Sequence, residues 1–343
     1  MGAMKRPFAI LAALGVTALA LAATAATSTT APYSRIVSVG LDGSVPLDLT
    51  AGVGDGDAAA AQAPDGRIAF IRTVRLGFPE LRLMGPQGGE TRFLARADSE
   101  TFFGPAWSPN GDEIAIQSWD ESLCTPGSTK CALSRVAVVD VATGTLRVAS
   151  RTSGRGAGSF SWSPDGSRLV YSGGLDQGLA AHTLEIIRRD GTGRRVLSRF
   201  GRGDIRQVAW SPRGDWIAYT RQGWIWLQRP TGGPARRLVS GDTIRWAPRG
   251  GRLLYVADSS LRVVDPDTAR SRLLARTGQR PEPAWSRDGQ LVFYRIQRGA
   301  TTTLYVVRVS DGSRLHAPTV AGSATSLFFT PDGKRLVYLS APA

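Results

Sequence analysis

Histidine, cysteine and lysine are nearly absent from this chain of 343 residues, which holds two His, two Cys and three Lys (Lys5, Lys130 and Lys334). His182 and His316 fall in different repeats, so a serine triad or a multi-histidine metal centre has almost nothing to build on. No Gly-x-Ser-x-Gly pentapeptide occurs, and no stretch is left over for the hydrolase domain that would carry one. A calcium loop at Gly54-Asp55-Gly56-Asp57 lacks the further spaced oxygen ligands that calcium needs. No cofactor and no metal are expected.

Acidic residues are also few, 28 against 42 basic ones, and 39 of those 42 are arginine. The net charge of +14 invites a nucleic-acid reading. The arginines are scattered through every part of the chain, often near Asp or Glu, and form no stripe. Nucleic acid is therefore not an expected partner. What the chain has in abundance is turn formers, 40 Gly and 20 Pro, beside an ordinary 42% hydrophobic content. That balance suits many short strands joined by tight turns.

The first 26 residues read as a secretory signal. Lys5 and Arg6 precede an uncharged apolar run from Phe8 to Ala23, and Ala23-Thr24-Ala25 offers the small-x-small cleavage pattern. The run of about 16 residues is short against the roughly 20 a membrane span requires, so an uncleaved anchor is the lesser alternative and the sole expected membrane contact. The expected location is the periplasm, cell envelope or exterior. Cys124 and Cys131, on either side of a Pro-Gly turn, would form a local disulfide there.

A five-residue motif recurs seven times: Gln62-Ala63-Pro64-Asp65-Gly66, Trp107-Ser108-Pro109-Asn110-Gly111, Trp162-Ser163-Pro164-Asp165-Gly166, Trp210-Ser211-Pro212-Arg213-Gly214, Trp246-Ala247-Pro248-Arg249-Gly250, Trp285-Ser286-Arg287-Asp288-Gly289 and Phe329-Thr330-Pro331-Asp332-Gly333. Proline presets φ, Asp or Asn tolerates the next position, and glycine supplies the positive φ that closes a hairpin; the serine is expected to bond to backbone two residues on. An apolar strand follows each copy, and a second hairpin follows that. Each unit then holds four strands, A to D, and can bury its faces only by stacking on neighbours.

The two ends complete the count. Arg35 to Leu47 reads as strands C and D with nothing before them, and Ser326 to Leu339 as A and B with nothing after. Joined, they make one composite blade. The expected fold is all-β: a seven-bladed β-propeller over residues 34–341, closed by a two-plus-two strand clasp, with six blades as the alternative count.

The Trp-Ser-Pro-Asp-Gly repeats resemble the WD40-like propeller family typified by TolB, and also the propellers of prolyl-oligopeptidase-type peptidases. The resemblance covers nearly all of the chain after the signal and implies the propeller. It lacks the α/β domain that precedes the blades of a TolB, so the TolB role is not carried over.

The repeat tryptophans are expected to pack between blades. The short Pro-Asp-Gly turns share one face, and the variable loops share the other, where recognition usually resides. That loop face reads as acidic in the first blades and arginine-rich in blades three to six, and its candidate binding residues are Trp119, Asp120, Glu121, Arg155, Arg202, Arg206 and Arg298. From this the chain is expected to be a monomeric, non-catalytic scaffold whose partner is a protein or an anionic cell-envelope polymer. The alternatives are a hydrolase or lyase working from the central funnel, and a carbohydrate-binding or sensor module.

Overall fold

The computed structural model describes residues 34–341 except 43, 51–55, 75–77, 97–99, 121–132, 151–155, 176–181, 202–204, 300 and 316–318. The signal segment, both cysteines, Glu121, Arg155, Arg202 and His316 lie outside the described residues. None of the described residues forms a helix long and apolar enough to cross a membrane.

Seven antiparallel sheets stand around an axis. Their inner strands are Asp57–Gln62, Glu100–Trp107, Gly156–Trp162, Ile205–Trp210, Asp242–Trp246, Glu282–Trp285 and Ser323–Phe329, which open blades 1 to 7 in that order. Each inner strand touches those of the blades on both sides, so the seven close a ring about a central channel. Blade 7 is the expected composite. Arg35–Gly40 from the N-terminal part pairs with Arg335–Ala341 in an unbroken register from Arg35 opposite Ser340 to Gly40 opposite Arg335. Blade 6 carries one extra short strand, Thr319–Ala321, on Thr301–Arg308.

Each motif forms the tight turn between the first and second strands, and all seven glycines take positive φ, from 68° at Gly166 to 96° at Gly66. The serine acts differently from expectation. Its hydroxyl reaches the amide five residues on: Ser108 to Glu113 (3.0 Å), Ser163 to Arg168 (2.9 Å), Ser211 to Trp216 (3.0 Å) and Ser286 to Leu291 (2.8 Å). The aspartate takes the amide two residues on, as Asp165 does from Ser167 and Asp288 from Gln290. The buried hydroxyl thereby pins the start of the second strand while the carboxylate closes the turn.

Buried apolar side chains fall into seven clusters, each drawn from two neighbouring blades. The core is thus a ring of interfaces, as expected when no blade can cover its own faces. Hydrogen bonds reinforce that ring at two radii. Near the axis, tryptophan Nε1 donates to an inner-strand carbonyl of the preceding blade: Trp107 to Ala61 (3.1 Å), Trp162 to Ala106 (3.0 Å), Trp246 to Ala209 (3.0 Å) and Trp285 to Arg245 (3.0 Å). Trp210 departs from the series: its Nε1 lies 3.5 Å from Gly214 O in its own turn, and its backbone amide takes the Ser161 hydroxyl instead. At the rim, an outer-strand arginine donates to a turn carbonyl of the next blade: Arg92 to Val141, Arg147 to Arg189, Arg195 to Thr231 and Arg236 to Pro266. Much of the scattered arginine is therefore structural, because a guanidinium offers five fixed donors for carbonyls that no strand pairs.

Two predictions follow from these contacts. Trp246→Phe leaves the Ala209 carbonyl without its donor and should cost about 1–3 kcal/mol in urea unfolding, whereas Trp210→Phe should cost clearly less. Equal losses would contradict the stitching role. Hydroxyl hydrogen bonds hold the Asp165, Asp288 and Asp332 carboxyls below their ordinary range. A lowered folded-state value adds stability above the unfolded one and loses it as the pH falls. The melting temperature should therefore drop as the pH falls below about 4, and Ser163→Ala should flatten that limb.

Candidate functional site

Six of the seven inner strands are bulged at one step. The register slips between Ala58 and Ala60, Phe103 and Ala106, Ala157 and Phe160, Ile205 and Val208, Asp242 and Arg245, and Thr325 and Phe328. Blade 6 pairs without a slip. Ala59, Gly104, Thr243 and Ser326 sit at this step in the left-handed region. For residues other than glycine that conformation costs about 1–3 kcal/mol, and it is a recurrent feature of functional sites. Side chains at the same step satisfy the free amide edge of the next blade. Val208 donates to Ser159 Oγ (3.1 Å), Ile244 to Gln207 Oε1 (2.9 Å) and Ala60 to Ser326 Oγ (3.2 Å).

Blades 4 to 6 add charge to this ring on the side of the variable loops. Asp242 opens the inner strand of blade 5 and pairs with Arg280 at 2.8 Å, and the same guanidinium reaches Thr243 Oγ1 at 3.4 Å. Glu282 opens the inner strand of blade 6 and pairs with Arg295 at 2.9 Å. Arg245 lies one residue before Trp246. Burial pulls its guanidinium below the ordinary arginine value, and the Glu282 carboxylate opposes that shift. Two ion pairs thus stand at the boundary of blades 5 and 6, with Arg245 attracted to the second, and Gln207 of blade 4 reaches the same strand through the Ile244 amide. Asp242 is the more open of the two acids, at 38% side-chain exposure against 14% for Glu282.

Blade 1 carries a drier counterpart. Asp57 and Arg72 face each other in register and pair at 2.9 Å, with both side chains at 3% exposure or less. Burial raises the Asp57 carboxyl above its ordinary value while Arg72 opposes the rise. Blade 3 buries Glu185 under Tyr171 Oη (2.6 Å), Thr183 Oγ1 (2.6 Å) and Arg194. Burial alone would raise the Glu185 carboxyl; these hydrogen bonds reverse the direction and hold it low. Glu185 lies on the third strand of its blade, away from the channel.

The sequence-derived candidates scatter. Arg206 stands on the inner strand of blade 4, at its bulge, and Arg298 ends the second strand of blade 6. Trp119 and Asp120 close the second strand of blade 2, where only their backbone is described, and the remaining candidates lie outside the described residues. The expected division of charge on this face is softened, since Arg280 and Arg295 each carry an acidic partner. Asp242, Arg245 and Glu282 went unrecognised in the sequence. They occupy four, one and three positions before their repeat tryptophans, so aligning the inner strands blade by blade would have found them.

No protein-family model matches this chain, and no curated protein matches it. Solved structures do match. An oligogalacturonate lyase from Vibrio parahaemolyticus superposes with a TM-score of 0.68 at 12% identity, covering 90% of this chain and 97% of that one. An oligogalacturonate lyase in complex with manganese gives 0.64 at 17% identity, over 83% and 88%. A putative TolB from Agrobacterium tumefaciens gives 0.53 at 16% identity, over 90% and 98%. These likenesses show the fold: the chain is a seven-bladed β-propeller, similar to those of the lyases and of TolB.

These matches correct the expectation of a non-catalytic scaffold, because the propellers that share this arrangement over most of their length include lyases. The expectation rested on a search for chemistry close together in sequence. In a propeller, groups that meet come from different blades: Asp242 pairs with Arg280, thirty-eight residues on and in the next blade. Manganese, named with one of these lyases, favours oxygen and nitrogen donors. Among the described residues no three His, Cys, Asp or Glu stand close enough to hold a metal ion, and His182 sits ahead of the third strand of blade 3. The described residues do not fit such a site.

Removing Glu282 leaves Arg295 and the half-buried Arg245 without their counter-charge. Glu282→Ala should cost about 3–5 kcal/mol in thermal or urea unfolding, with Glu282→Gln intermediate. A loss under about 1 kcal/mol would show that the pairing is surface-like.

Proposed function

We propose that this protein is an exported lyase-class propeller that cleaves uronate-containing oligosaccharides at the loop-side mouth of its channel. The observation that carries this reading is the cluster of ion pairs across the boundary of blades 5 and 6, beside the left-handed Thr243. The superposition with two oligogalacturonate lyases supports the class, and the basic, apolar and small-residue pattern of residues 1–26 supports export.

Eliminative cleavage of a uronate chain asks little of side chains. A base removes the proton on C5, which the neighbouring carboxylate acidifies. The electron pair of that C–H bond becomes the C4=C5 double bond, and the C4–O4 bond breaks with its electrons on the leaving sugar, which takes up a proton. The protein must neutralise the substrate carboxylate and accept one proton. In this reading Arg206 and Arg280 bind the carboxylate, since a guanidinium matches its two oxygens. Asp242, the exposed acid, accepts the proton once the substrate carboxylate draws Arg280 toward itself. Glu282 and Arg295 hold Arg245 in place behind them.

Trigalacturonate supplied to the purified protein should yield a 4,5-unsaturated uronate product, followed by its ultraviolet absorbance. Asp242→Asn should reduce kcat at least a hundredfold. Arg280→Gln should raise KM more than it lowers kcat. Binding of trigalacturonate with no unsaturated product from the wild-type protein would reduce the reading to a carbohydrate-binding propeller. Neither binding nor product would remove it.

A further inference from the structure

On the opposite face, where the short turns lie, Arg168, Arg188 and Arg195 line a cleft of about 350 Å³ with Gly193 and with Pro230 and Thr231 of the next blade. All three arginines are exposed, and none forms an ion pair among the described residues. Arg168 and Arg188 are direct cross-strand partners on the second and third strands of blade 3. Like charges directly opposite in an antiparallel pair oppose folding. Asp165 and Asp190 attract Arg168 and Arg188 across space without pairing with them, their oxygens being taken by Ser163 and Ser167 and by Thr192.

The guanidiniums are held rather than loose. Arg195 donates to the carbonyls of Thr231 (3.0 Å) and Pro230. Arg188 lies against Gly193, where an added Cβ would stand 3.2 Å from Nη1, and its Nη1 reaches Thr192 Oγ1 at 3.4 Å. Thr231 brings a hydroxyl to the same wall.

Blade 5 provides a comparison within the same molecule. A cleft of about 300 Å³ lies there at matching positions, with Arg252 for Arg168, Val263 for Ile186 and Arg272 for Arg195. Where blade 3 has Arg188, blade 5 has Asp265, so its cross-strand pair is neutral. The same frame carries an acid at this position in blade 5 and an arginine in blade 3. An uncompensated local conflict of this kind marks a functional position.

We propose that the cleft between blades 3 and 4 is an anion-binding site that takes a carboxylate or phosphate group between Arg168 and Arg188, with Arg195 and Thr231 completing the wall. The site is independent of the channel reading. Its ligand would bind in a wall-like cleft rather than an enclosed cavity, where two guanidiniums supply charge-assisted donors and salt weakens the contact. An anion there removes the repulsion that the pair carries when empty.

Thermal unfolding at low ionic strength, with inorganic phosphate or acetate titrated separately, tests this without a uronate that the channel mouth would also take. At least one of the two should raise the melting temperature of the wild-type protein, and which one does identifies the group. Arg188→Asp, which copies blade 5, should weaken that anion at least tenfold while leaving the ligand-free melting temperature equal or higher. Arg188→Gln should act the same way in smaller measure, and Arg252→Gln should leave the response unchanged. No shift with either anion, a shift retained in Arg188→Asp, or a shift lost in Arg252→Gln would each overturn the proposal.

Discussion

The whole molecule depends on fastening each blade to the next, because no blade buries its own faces. The strongest expression of this is the tryptophan at the end of five of the seven inner strands. Its ring fills the space between two sheets, and its Nε1 donates to a carbonyl on the neighbouring inner edge at 3.0–3.1 Å in four of the seven blades. The inner edge is where backbone groups lack a strand partner, so a donor placed there satisfies an acceptor that would otherwise be buried unpaired. Arginine does the same work at the rim, and the composite blade removes the last free edge. A ring fastened at two radii tolerates local strain, and the bulged, left-handed residues beside the channel show where it is carried.

That frame explains why chemistry gathers where it does. The turn side is largely uniform because the motifs that carry Ser or Asp spend these side chains on their own backbone. The loop side is free to vary, and the inner strands that lead into it bring side chains from successive blades within reach of each other. Asp242, Arg280 and Thr243 meet across one blade boundary, and Arg245, Glu282 and Arg295 meet across the same one. The boundary holds two acids and three guanidiniums, which suits an anionic sugar better than a neutral ligand.

The propeller, its seven blades and its clasp were legible in the sequence because turn chemistry is local. Pro, Asp and Gly at fixed spacing specify a hairpin without reference to the rest of the chain, and the half-units at the two ends specify closure. The site was not legible for the complementary reason. Asp242 and Glu282 look like ordinary surface acids until the inner strands are laid side by side. The outer arginines look like scattered charge until their carbonyl partners appear. The serine of the motif was read as a turn residue, yet its hydroxyl reaches five residues on, a distance set by the hairpin rather than by the turn. The scarcity of histidine pointed away from catalysis, whereas these ion pairs are built from arginine and carboxylate, both in good supply.

If blades 4 to 6 form the ligand-bearing mouth of the channel, amide hydrogen exchange with and without trigalacturonate should show it. Protection should rise on the inner strands Ile205–Trp210, Asp242–Trp246 and Glu282–Trp285, with little change on those of blades 1 and 2. Unchanged exchange on all three inner strands would contradict that placement.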